Sequence, residues 1–146
     1  MIRLGWHSPV GILAAWLALA VPALAQEDPC VDLTYATQPE LNQCVFLDWQ
    51  VADEALNRAY ATAVAEARAR DASITGEGGA EELLRQAQRA WLAYRDADCE
   101  VEASFFEGGQ AEPMTRYGCM IQHTEDRTDR LWGYVRIHRP LREDEP

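Results

Sequence analysis

Four cysteines, Cys30, Cys44, Cys99 and Cys119, constrain this chain more than any other feature. An even count in an exported chain predicts two disulfides and an oxidising compartment. Export itself is read from residues 1–25. Arg3 precedes an apolar run from Val10 to Ala25 that closes on Ala23-Leu24-Ala25, the small-x-small ending of a cleavable signal peptide. A membrane-spanning helix needs about 20 apolar residues, so the run is short for an anchor. The expected cut lies before Gln26, and no cysteine follows it directly to carry a lipid, since Cys30 comes behind Glu27-Asp28-Pro29. Residues 26–146 are therefore expected to form a single helical domain, periplasmic or secreted, with no membrane span after signal cleavage.

That domain would hold 121 residues, enough to bury roughly two-thirds of its unfolded surface. It contains twelve arginines, no lysine and twenty-four acidic residues, a net charge of −12. Nucleic acid is excluded as a partner, because phosphate binding rests on surplus positive charge. A cationic protein, by contrast, would be attracted, although acidity also serves simple solubility.

Helical periodicity organises the rest. Leu41, Val45, Ala52, Leu56, Ala59, Ala63 and Ala67 recur at three- and four-residue steps, after a Thr37-Gln38-Pro39-Glu40 start signal, which predicts a first helix running to about Asp71. The glycine-rich "TGEGGAE" from Thr75 is a connector. A second helix from Ala80 or Glu81 is expected to bury Leu84, Ala87, Trp91, Tyr94, Val101 and Phe105, with Arg95 and Asp98 at the edges of that stripe. Gly108 and Gly109 end it, Pro113 opens a third helix, and Met114, Tyr117, Ile121, Thr124, Thr128, Leu131 and Val135 form the third seam. No stretch alternates with period two. The expected fold is all-α, a compact antiparallel three-helix bundle stapled by two disulfides.

Four cysteines permit three connectivities. Cys99 and Cys119 lie at similar distances from the turn near Gly109, so an antiparallel helix hairpin sets them side by side, and Cys30 can reach Cys44 locally. The same antiparallel logic, applied to the first two helices, brings Asp53 opposite Arg95 and predicts a structural arginine–carboxylate pair.

Catalytic chemistry finds little material. Residues 26–146 carry two histidines, His123 and His138, and two serines, Ser73 and Ser104, without triad spacing. Oxidised cysteines are not nucleophiles. The acid pairs Asp96 with Glu100 and Asp98 with Glu102 read as a solvated helix face rather than a glycosidase dyad. His123 with Glu125 and Asp126 is too loose to specify a metal. The reading is a non-enzyme with no catalytic, cofactor-binding or metal residues.

Several fragments in order, "ELNQC" at Glu40, "ADEALNRAY" at Ala52, "AQRAWLAYRDADCE" at Ala87, "GG" at Gly108, "PM" at Pro113 and "CMIQHTEDRTDRL" at Cys119, resemble the LprI-type lysozyme-inhibitor family over about residues 30–135. The resemblance implies a small exported helical module with paired cysteines, and in the name-giving member inhibition of lysozyme. Among its matched positions Asn42, Asp53, Asn57, Arg95, Cys99 and Arg127 read as groups that cap, pair and staple the bundle, and His123 as a partly exposed variation. The expected function is an acidic binding protein that inhibits a lysozyme, a cationic protein, by occlusion. Its possible contact is the turn "FFEGGQAEP", with Glu107, Gly108, Gly109 and Glu112; taken simply as a helix link, that turn would bury its two phenylalanines. The alternatives are a non-enzymatic cell-envelope interaction or scaffold module and, without any cofactor motif to favour it, a carrier of a small ligand.

Overall fold

The computed structural model describes residues 30–31, 33–74 and 79–138; the expected signal peptide, the centre of the glycine connector and the last eight residues lie outside them. Three helices follow one another: α1, Gln38–Ser73; α2, Ala80–Ser104; and α3, Glu112–His138. No strand occurs among the described residues, and no described helix is long and apolar enough to cross a membrane. The expected three-helix architecture is the one observed, with α1 packed chiefly on α3 and α2 laid against both.

The predicted start signal of α1 forms. The Glu40 carboxylate accepts hydrogen bonds from the Thr37 N–H and the Thr37 hydroxyl, both at 2.7 Å, satisfying an amide that the helix leaves free. Further along, Leu56, Ala59 and Ala63 of α1 meet Leu131 and Val135 of α3 in the core, with Tyr60, Leu84 and Trp91 against its margin. Alanines at these positions let the helices approach closely. They also bury little apolar surface, so covalent and polar ties carry more of the stability than in a larger core.

Those ties sit at both ends of the bundle. Disulfides join Cys30 to Cys44 and Cys99 to Cys119, the latter buried where α2 and α3 run side by side. At the glycine-connector end, the Asp71 carboxylate accepts the backbone N–H groups of Gly79, Ala80 and Glu81 at 3.0 to 3.1 Å. An acid from the last turn of α1 thus caps the positive N-terminus of α2. Glu81 then binds Arg68 of α1 through two hydrogen bonds, 2.8 and 2.9 Å, and Arg85 on its own helix at 2.7 Å.

The face that α2 turns inward matches the one its apolar spacing predicts only in part: Leu84 and Trp91 pack against the core, but the rest of the seam does not. Gln88, Arg95, Cys99 and Ala103 are buried, while Tyr94, Val101 and Phe105 are 56%, 59% and 80% exposed and Ala87 is also exposed. The helix is rotated because Arg95, the buried one of its three arginines, finds Asp53 of α1 and the Thr124 hydroxyl of α3 on the inner side, and the disulfide cysteine lies one turn further on the same face.

Two outcomes follow. Replacing Cys99 and Cys119 by serine should lower unfolding free energy in chemical denaturation by about 3 kcal/mol, the loop-entropy value for a closed loop of this length. The Arg68 and Arg85 hydrogen bonds, in that order, lower the Glu81 carboxyl from its ordinary 4.5 to about 2. Because the folded state favours the charged form, this contribution is complete above about pH 4.5 and is lost as pH falls through about 2. Glu81→Gln should therefore flatten the fall of Tm across that window.

Candidate functional site

The centre of the α1–α2–α3 contact is polar. Arg95 is 5% exposed. Its Nη1 lies 3.7 Å from Asp53 Oδ1, its Nη2 2.8 Å from Asp96 Oδ1, and Nη1 donates to the Thr124 hydroxyl at 3.3 Å. Its guanidinium carbon stands 5.1 Å from the centre of the Trp91 ring, within cation–π range. The Arg127 guanidinium lies 5.8 Å from that same ring, and its Nε donates to buried Gln88 at 3.0 Å. Asp53 in turn accepts a hydrogen bond from Asn57 at 2.9 Å.

The Asp53–Arg95 approach is therefore present, but as the longer of two carboxylate contacts. Asp96 is the closer partner. Sequence spacing missed it because an adjacent acid is ordinarily placed outside the helix stripe, whereas the long Arg95 side chain bends back to reach it. Gln88 was missed too, and although Thr124 was placed on the third seam and Arg95 and Arg127 were read as pairing groups, their meeting around Trp91 had no sequence signal beyond mixed polar and apolar composition.

A cleft of about 420 Å³ opens beside this cluster, lined by Trp49, Arg95, Asp96, Glu100, Arg116, Tyr117 and Met120. Its charges already serve the fold. Arg116 Nε lies 2.9 Å from Glu100, although not aligned for a hydrogen bond, while Arg116 Nη2 donates to both Glu100 and Glu112 at 2.9 Å. Those contacts, the Glu100 hydrogen bond foremost, push the Arg116 guanidinium up from its ordinary value. Phe46, Trp49 and Tyr117 pack ring on ring alongside, with centroids 5.1 to 5.7 Å apart.

Three of the four acids weighed as catalytic pairs are placed in structural contacts as well. Asp96 binds Arg95, Glu100 binds Arg116, and Asp98 accepts from the Tyr94 hydroxyl at 3.2 Å and lies 3.0 Å from His123 Nε2. His123 is half-buried against Tyr94, ring centroids 5.5 Å apart. Among the described residues it also groups with Cys99 and Cys119, whose sulfurs are bonded to each other.

The turn between α2 and α3 has a different character. Gly108 adopts φ +72°, and a side chain on Gly109 would meet the Phe106 carbonyl oxygen at 2.9 Å, so both glycines are required by the backbone path. Glu112, half-buried, accepts the Gly108 N–H at 3.1 Å and binds Arg116, which holds it within the turn. From α1, Asn42 donates to the Gln110 carbonyl at 2.8 Å. The turn is thereby fastened to the bundle, and Phe105 and Phe106 point out of it, 80% and 48% exposed, with Glu107 exposed beside them. The expectation that these rings enter the core is corrected: the tight turn, closed by Phe106 N–H to Ala103 carbonyl and Gly109 N–H to Phe106 carbonyl bonds, carries them past the end of the helix packing.

A family model described as lysozyme inhibitor LprI matches residues 30–131, which takes in the disulfides, the arginine cluster and the turn. The chain belongs to the LprI lysozyme-inhibitor family. Within curated proteins it is 37% identical over 123 residues to an uncharacterized protein of Rhizobium meliloti (strain 1021), covering 82% of this chain and 88% of that one. No solved structure matches the chain significantly. LprI membership together with two disulfides marks an extracytoplasmic protein.

The arginine cluster is open to a direct stability measurement. Asp53 is one-third exposed and Asp96 remains when it is removed, so Asp53→Ala should cost about 1 kcal/mol in chemical denaturation, below the roughly 3 to 5 kcal/mol of a fully buried pair. An unchanged midpoint would remove Asp53 from the cluster's energetics.

Proposed function

We propose that this protein is made with a signal peptide at residues 1–25, is released as a single acidic domain, and inhibits a lysozyme by docking on it without performing chemistry. The observation that carries the reading is the fastened turn. It projects two aromatic rings and Glu107 from one end of a bundle whose sequence carries a net charge of −11. Membership of the LprI family supports a lysozyme as the target class.

The division of labour in the turn follows from its geometry. Gly108, Gly109 and Glu112 set its shape, while Phe105, Phe106 and Glu107 form the surface offered to a partner. Aromatic side chains presented from a rigid support bury much area at small entropic cost, the usual composition of interface anchors. The surrounding negative charge draws a basic enzyme in and raises the association rate, with screening beyond about 8 Å at physiological ionic strength.

A titration of the oxidised protein into a cell-wall lysis assay with a purified basic lysozyme tests this reading, and inhibition should weaken as salt rises. Glu107→Gln should slow association about threefold at low salt, the Coulomb effect of one exposed charge several ångströms from a cation in water. Phe105→Ala should instead speed dissociation. Full lysis at saturating protein, under every salt condition, would sink the proposal.

A further inference from the structure

The unexpected rotation of α2 leaves a continuous apolar stripe on its outer side. Leu83, Ala87, Ala90, Tyr94, Ala97 and Val101 succeed one another at alternating steps of four and three residues, and all are exposed; Phe105 extends the line into the turn. Leu83 is 67% exposed. Alternating four- and three-residue spacing keeps side chains on one side of a helix and is the pattern of a seam that packs against another surface. From Leu83 to Phe105 it runs about 33 Å at 1.5 Å per residue. At its N-terminal end the stripe borders an apolar groove of about 280 Å³ that includes Ala63, Ala67, Leu84 and Tyr134.

Single exposed apolar residues are ordinary, but a run of this length and regularity marks an interaction surface. Charge selects its occupant. Asp98 and Glu102 flank the C-terminal half, Glu107 follows in the turn, and Arg95, the one base between residues 94 and 107, is buried in the bundle. A second copy would bring the same acidic flank and another net charge of −11 against it. A basic protein meets both the apolar stripe and its acidic border.

We infer that the outer face of α2, from Leu83 to Val101, is the main docking surface for the basic lysozyme, with the Phe105–Glu107 turn forming only its end. This rests on the inhibitory reading above and gives that reading an extended helical footprint. Tyr94 lies at the middle of the footprint, held by Asp98, which makes it the central aromatic anchor. The disulfide of Cys99 on the opposite side of the same helix holds the stripe at a fixed rotation.

Two exposed substitutions separate the possibilities. Leu83→Arg and Val101→Arg each place a cation in the stripe without disturbing a buried residue, and circular dichroism should show unchanged helicity and Tm. With a purified basic lysozyme, each should raise the Kd measured by titration calorimetry by about tenfold or more, and inhibition should weaken in parallel. Wild-type affinity in both variants, with Phe105→Ala impaired, would overturn the α2 footprint while leaving inhibition intact. If the unmodified protein neither binds nor inhibits, the inhibitory reading fails and the footprint falls with it. Sedimentation of the unmodified protein as a dimer, reverting to monomer in Val101→Arg, would assign the stripe to a second copy and likewise overturn the inference.

Discussion

The burial of one guanidinium determines how this bundle is put together. Arg95 reaches Thr124 on α3, approaches Asp53 on α1, binds Asp96 beside it and lies against Trp91, so a single side chain refers α2 to both of its neighbours. A buried cation without such partners would be heavily penalised, and few rotations of α2 supply them together. Cys99 lies one helical turn beyond and is bonded to Cys119, so the polar cluster and the covalent link demand the same orientation. The outward presentation of Tyr94 and Val101 is the geometric remainder of that demand.

Such a device suits a core built from alanine. Ala59 and Ala63 are almost wholly buried opposite Leu131 and Val135, and they bring helices close without supplying much hydrophobic stabilisation. Cross-links therefore appear wherever two elements change direction. Asp71 and Glu81 close the connector end, the two disulfides and Asn42 close the other, and the Arg95 cluster joins the middle. Distributed in this way, the ties restrain sliding and rotation of the helices, which an alanine interface by itself resists weakly.

Much of this was legible in the sequence because local signals and tertiary packing agreed. The Thr37–Glu40 start, the glycine connector, the Gly108-Gly109 break and the near-symmetric placing of Cys99 and Cys119 about it each have a mechanism confined to a few residues. The first and third apolar seams also coincide with buried faces, where Leu56, Ala59, Leu131 and Val135 lie inside and the one buried polar residue of the third seam, Thr124, has its hydroxyl bonded by Arg95 on that same side. For α2 the rule that apolar residues mark the inside held for Leu84 and Trp91 but failed for Tyr94, Val101 and Phe105. Leu83, Tyr94 and Val101 outweigh Gln88 and Arg95 in any count of hydrophobicity; the antiparallel pairing with Asp53 was legible, but the contacts of Arg95 with Asp96 and with Thr124 of α3, which complete its burial, were not. The outward turn of Phe105 and Phe106 was hidden for a related reason, as it depends on Asn42 and Glu112 fastening the loop.

That failure of the simple rule bears directly on function. Natural sequences agree across levels nearly everywhere, and departures concentrate where something other than folding is being served. Here a helix buries an arginine, a glutamine and a cystine alongside Leu84, Trp91 and Ala103 on its inner face and gives its most regular apolar seam to the outside. Folding alone offers no return for exposing Tyr94, Val101 and Phe105, since that arrangement leaves apolar area in water and creates an aggregation hazard. The acidic residues bordering the seam reduce the hazard by disfavouring self-association, and the same charges favour a basic partner. The buried polar groups of α2 and its apolar exterior are thus two aspects of one arrangement, in which a buried cation orients the helix and the orientation leaves outside the surface inferred above to dock a partner.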